Sequence, residues 1–117
     1  MQLNEVSFDG ATPIDGYGPG FFRVGGQVIE GAVVVSAPAA RSWGGYGDEA
    51  PLLALVGEID VLLVGTGAET VHVPAALRAR LEEAGLGVEV MNSPAACRTY
   101  NVLIAEGRRI AVALLPV

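Results

Sequence analysis

The chain contains no lysine, one histidine and one cysteine in 117 residues. Without lysine there is no phosphate-loop cation. Its seven basic residues are all arginine, scattered along the sequence, against 13 acidic ones, for a net charge of -6. That balance argues against a nucleic-acid partner, because phosphate binding needs clustered Lys or Arg. A lone cysteine, Cys97, cannot close an internal disulfide, which points to a reducing compartment and a cytoplasmic location. A lone histidine, His72, cannot build a metal site by itself, and no metal or other cofactor is expected. No apolar run approaches the ~20 residues of a membrane span, so no insertion is expected. The opening Met1–Gly10 carries Glu5 and Asp9 and no basic cluster, unlike a secretory signal or an arginine-rich transit peptide.

What is present is apolar and glycine-rich: 51% hydrophobic residues and 16 glycines. A chain of this length can bury roughly two-thirds of its unfolded surface, which is enough for one core. Residues 1–117 are therefore expected to form a single domain without disulfide or metal support.

Ile14–Gly20 holds three glycines and a proline in seven residues and reads as a loop. Phe21–Val24, the turn pair Gly25-Gly26 and the Val/Ile-rich Gln27–Ser36 read as a β-hairpin. Ala37–Ala50 reads as irregular. Asp48 could cap a short helix over Glu49–Gly57, with Pro51 in its first turn and Leu52, Leu55 and Val56 on one face. Ile59–Val64 is an unalternating apolar strand of the kind buried on both faces. A helix follows from Pro74 to Gly85, with Leu77, Leu81 and Ala84 on one stripe. Leu86–Met91 is the next strand. Ser93 is expected as the cap of a helix reaching about Ala105, with Pro94 at its first position and Gly107 as its stop. Arg109–Leu115 is the last strand. The order predicts an α/β fold: a mixed central sheet of about five strands, flanking helices and an additional hairpin.

Gly65-Thr66-Gly67 follows a strand, as nucleotide-binding turns do. It lacks the three spaced glycines and the immediate helix of a dinucleotide fingerprint. It reads as a tight backbone passage, with a small-ligand or anion contact as the alternative. Cys97 lies near a helix start beside Arg98, and both features lower a thiol pKa. No base is tied to it, so it reads as a packing residue. His72 reads as a solvent-facing loop residue. Asp48, Glu49, Glu82 and Glu83 read as caps and solvated helix faces, with no spacing that suggests acid–base work. No catalytic set emerges, and the chain is not expected to be an enzyme.

Met91–Asn101 places a helix N-terminus just past a strand end. Ligands collect outside the carboxyl ends of strands in open sheets, and free N–H groups there attract anions. Two adjacent, parallel strands would bring the glycine turn and this helix start to one crevice. Gly65, Thr66, Gly67, Ser93, Arg98, Thr99 and Asn101 are the candidate ligand or anion site. Simple capping and helix packing are the alternative.

These residues resemble a known family. Asp60–Gly67 is close to its first motif; Glu89-Val90-Met91, Ala96, Thr99-Tyr100-Asn101, Leu103 and Glu106-Gly107-Arg108 look like its second; Ile14–Gly18 and Trp43 fit its earlier section. The chain is identified as a member of the adipogenesis-associated, Mth-type domain family, which includes a mitochondrial complex I assembly factor and small bacterial proteins. The resemblance implies a three-layer α/β fold and a non-enzymatic role in building respiratory complex I. It carries over no catalytic residue. Lacking a transit peptide, the chain looks like a bacterial member.

Three functions follow as expectations. The first is a binding or assembly protein with a protein partner, contacted through Tyr17, Phe21, Trp43 and Tyr46 on aromatic, glycine-rich loops. The second is a small-molecule or anion-binding domain using the crevice at Gly65–Gly67 and Ser93. The third is a homo-oligomer joined through Phe21, Phe22, Trp43 and Tyr46.

Overall fold

The computed structural model describes residues 10–117 and the backbone of the short strand β1 (Glu5–Ser7). The rest of Met1–Gly10, read above as free of a targeting signal, lies outside the described residues. Three strands then form a small antiparallel sheet: β2 (Ile14–Gly18), β3 (Phe21–Val24) and β4 (Gln27–Glu30). β2 falls where a loop is expected. Its glycines are tolerated because Pro19-Gly20, with φ +78° at Gly20, turns the chain directly into β3. The Phe21 ring also covers Gly18 so closely that a Cβ there would collide with it. The aromatic ring supplies the contact a glycine strand lacks.

The apolar run Gln27–Ser36 is not one strand. It breaks at Gly31, where φ is +79° and the N–H bonds to Gly20 O at 2.8 Å. The chain then crosses into the main sheet as β5 (Val33–Ser36) and returns as β6 (Ala39–Ser42), a strand in a stretch read as irregular. After α1 (Ala50–Leu53) come β7 (Val61–Thr66), α2 (Ala75–Glu83), β8 (Gly87–Met91), α3 (Ser93–Ala105) and β9 (Ile110–Leu115). The main sheet has six strands in the order β1-β6-β5-β9-β7-β8. β7 runs parallel to both β8 and β9, while β5 pairs antiparallel with β9 and with β6. The sheet is mixed, as expected, with β1 as an added edge.

Both faces of this sheet are covered, which explains the unalternating apolar sequences of β7 and β9. Val33, Val35, Leu63, Val112 and Leu114 point to one side, against α3 and the inner face of the small sheet. Val34, Leu62, Val64, Ala111 and Ala113 point to the other, against Trp43, Leu52, Leu77 and Leu81. The result is three layers.

The helix ends follow local chemistry. Leu86 N–H bonds Leu81 O and Arg108 N–H bonds Leu103 O, both at 3.0 Å, each with a left-handed glycine between (Gly85, Gly107). This is the six-to-one closure a C-terminal glycine permits. Two expected starts differ. α1 is a single turn rather than Glu49–Gly57, and Asp48 does not cap it: its carboxylate accepts from Gly44 N–H at 3.0 Å. At α3 the cap is Asn92, whose Oδ1 accepts from Ala95 N–H at 2.8 Å, so Ser93 and Pro94 are the first two helical residues.

Candidate functional site

β7 and β8 are adjacent and parallel, so the Gly65-Thr66-Gly67 turn and the start of α3 do meet at one end of the sheet. They meet too closely to leave a crevice. A Cβ on Gly65 would lie 2.8 Å from Ser93 Oγ, 2.9 Å from Ser93 Cα and 2.7 Å from Leu114 Cδ2. Ser93, fully buried, accepts a hydrogen bond from Gly67 N–H at 2.9 Å and donates to Leu115 O at 2.6 Å. Its own N–H donates to Gly67 O at 2.8 Å. One serine thus ties the turn, the helix and the end of β9 together. The Thr66 hydroxyl serves the same turn, lying 2.6 Å from Glu69 O and accepting from Val71 N–H at 3.1 Å.

An anion at a helix start needs unbonded N–H groups. Here Ser93 N–H is taken by Gly67 and Pro94 has none. Ala95 N–H is taken by Asn92 Oδ1 and Ala96 N–H by Asn92 O. The first turn is satisfied internally, so the geometry corresponds to capping and packing. The remaining candidate residues are dispersed. Arg98 is exposed and Thr99 half-buried. Asn101 lies eight residues, roughly two turns, along the helix from Ser93. Its Oδ1 accepts from Ile14 N–H at 2.8 Å and its Nδ2 donates to Ile14 O at 2.9 Å. Asn101 therefore mimics a strand and docks β2 onto α3.

Cys97 is buried in the core with Ala96, Tyr100 and Ile104. Burial pushes its thiol up to about 11, with Arg98 opposing the shift. The helix start and the arginine do not activate it, because desolvation of the thiolate outweighs both. His72 is exposed in the loop before α2. Tyr100 is fully buried and its phenol is pushed well above its ordinary range by desolvation.

The aromatic contact residues divide. Trp43 is only 5% exposed, packs edge-on against Tyr46 with centroids 5.9 Å apart, and donates from Nε1 to Asp48 O at 2.9 Å. Phe22 is fully buried. Both rings belong to the core: strand alternation turns Phe22 inward opposite Ile29, and the Trp43 backbone N–H bonds to Ala32 O at 2.9 Å. Tyr46 is half-buried. Tyr17 stays exposed at the β2 edge, and Phe21 lies half-buried on the outer face of the small sheet with exposed Val28.

A cavity of about 530 Å³ opens at the opposite end of the sheet. It lies between the β5–β6 turn, the α1–β7 connection and the α3–β9 turn, at the amino ends of β7 and β9. The sequence offers little signal for it, since its lining comes from four segments far apart in the chain, Ala11 among them.

A family model described as a protein of unknown function (DUF498/DUF598) matches residues 14–115. The chain belongs to this family. An uncharacterised protein of Rhodobacter capsulatus is 50% identical over 99% of this chain and 94% of its own length. NADH dehydrogenase (ubiquinone) 1 alpha subcomplex assembly factor 3 of Danio rerio is 36% identical over 99% of this chain and 71% of its own length. Among solved structures, an outer membrane protein of Bartonella henselae superposes with a TM-score of 0.82 at 35% identity, covering 92% of this chain and 97% of that one. A Bordetella pertussis protein described as a Mth938-like domain gives 0.73 at 29% identity, covering 99% and 92%. No helix among the described residues is long and apolar enough to cross a membrane.

The DUF498 match runs from the first residue of β2 to the last of β9, taking in both sheets' cores and all three helices. Within it, the motif residues have structural duties. Gly65 and Gly67 admit Ser93, Tyr100 fills the core, Asn101 holds β2, and Gly107 closes α3.

Proposed function

We propose that this chain is a non-catalytic binding protein that acts in the assembly of respiratory complex I. The observation that carries the reading is its likeness, across 99% of its length, to a protein named as an NADH dehydrogenase assembly factor. The buried, poorly ionised Cys97 and the exposed, isolated His72 support a binding role over nucleophilic chemistry.

The partner surface is the exposed side of the small sheet. Val28 is 46% exposed there, and Phe21 lies on the same face over bare glycine backbone, whereas Tyr17 pairs with the buried Phe22 and so projects from the β2 edge on the opposite face. Apolar groups on a rigid sheet can cover the exposed apolar surface of an incomplete subunit. Deleting the gene should lower assembled complex I on native gels and reduce rotenone-sensitive NADH oxidation. The wild-type chain should restore both, and a Val28→Glu variant should not. A deletion strain with a normal amount of active complex I would refute the reading.

A further inference from the structure

The cavity at the amino ends of β7 and β9 belongs to neither the Ser93 junction nor the small sheet. At about 530 Å³ it lies within the range of small-molecule sites, which are mostly apolar with a few placed polar groups. Its lining has that composition. Ile59, Ile104 and Ile110 are buried at the floor, with Leu55 and Pro38 along the walls. The charged lining residues, Glu58, Arg108 and Arg109, are all exposed and form the rim.

The rim carries both signs of charge, Arg108 and Arg109 against Glu58, with Asp60 beside Arg109. A protein of net charge -6 with seven arginines sets two of them side by side here, against one lining carboxylate. The two arginines differ in what they already do. Arg109 donates to Gly57 O at 2.9 Å and stands 4.0 Å from Asp60, so it braces the α1–β7 connection. Arg108 has no ion pair among the described residues. The Gly107 closure of α3 fixes its backbone, with Arg108 N–H bonded to Leu103 O. An arginine whose backbone is anchored beside an apolar hollow can donate to a carboxylate while the hollow takes the hydrocarbon.

We propose that this cavity is a binding site for a small amphipathic carboxylate, with the apolar chain on Ile59, Ile104 and Ile110 and the carboxylate at Arg108. The site is independent of the assembly reading and can fail without affecting it.

The test is an NMR titration of the full chain with hexanoate, octanoate and decanoate, with octanol and octylammonium as controls. Shifts should concentrate at Ala54, Leu55, Ile104 and Arg108. Affinity should rise by about fourfold for each added methylene. Octylammonium should bind more weakly than octanoate. Arg108→Gln should weaken octanoate by about two- to fivefold, the range of an exposed ion pair, and leave octanol unchanged. Ala54→Trp, placed to fill the hollow, should abolish binding of all five probes, with its fold checked by the dispersion of the same spectra. Absence of shifts at these residues at millimolar octanoate would overturn the proposal. So would shifts centred on Gly67 and Ser93, or octylammonium binding as tightly as octanoate.

Discussion

Replacing Gly65 by alanine tests whether the meeting of β7 and α3 is as tight as its geometry implies. Gly65 has an ordinary backbone conformation, since it is not among the glycines with positive φ. The substitution therefore adds a methyl group without adding backbone strain. That methyl would stand 2.8 Å from Ser93 Oγ and 2.9 Å from Ser93 Cα, where ordinary contacts are about 3.5–4.0 Å. The helix start must retreat by about 0.7 Å to make room. Ser93 N–H to Gly67 O, now 2.8 Å, then stretches to about 3.5 Å, the edge of a hydrogen bond. Overpacking of this kind costs about 1–3 kcal/mol, and weakening one buried bond about 1 more. A loss of about 2–4 kcal/mol is expected, lowering the melting temperature by about 8–16 °C for a chain of this size. Urea unfolding followed by circular dichroism measures it. Gly85→Ala is the comparison, because Gly85 has φ +99° but open space around it; it should cost only about 1–2 kcal/mol of backbone strain. A Gly65→Ala protein within about 0.5 kcal/mol of wild type would mean that the junction has slack for a methyl group.

Three further outcomes follow. Asn101→Ala leaves the N–H and C=O of buried Ile14 unpaired and should cost about 2–3 kcal/mol. Hydrogen exchange should then speed up in β2–β4 before β7 and β9, and a uniform change would count against a docking role. Trp43→Ala should behave as a core deletion, costing about 3–5 kcal/mol, whereas a loss below about 1 kcal/mol would show the ring to be peripheral. Cys97, with its thiol near 11, should react with a thiol reagent at pH 8 far more slowly in the native protein than in urea. Because its folded pKa is raised above the ordinary value of 9.0, its contribution to stability is complete below about pH 9 and is lost as pH rises toward 11. Native reactivity equal to that of free cysteine would contradict the burial.

The second half of the fold was legible because periodicity and punctuation agree there. Strands at Ile59–Val64 and Arg109–Leu115 alternate with helices closed by Gly85 and Gly107, and each signal is local. The first half was not, because its order depends on contacts between strands. Ile14–Gly18 is a strand through its pairing with β3, where the Phe21 ring covers Gly18. Gln27–Ser36 divides at Gly31, which sequence alone cannot distinguish from a bulge in one continuous strand. The expected meeting of the glycine turn with the α3 start is present, but spacing does not report how far apart two elements stand. At Gly65 that distance leaves room for a hydroxyl and nothing larger. Trp43 and Phe22 show the same limit: aromatic residues among glycines read as display, and here pairing with Ile29 turns Phe22 inward while the bond to Asp48 O holds Trp43 in the core.

Affinity capture of assembly intermediates tests the proposed association with an incomplete respiratory complex. A tagged chain expressed at native level is recovered from mildly solubilised cells and resolved on native gels, with subunits identified by mass spectrometry. Complex I subunits are expected in species smaller than the finished complex, lost with Val28→Glu while the variant keeps its melting temperature. Recovery of the tagged chain with no complex I subunit above an untagged control would contradict the association.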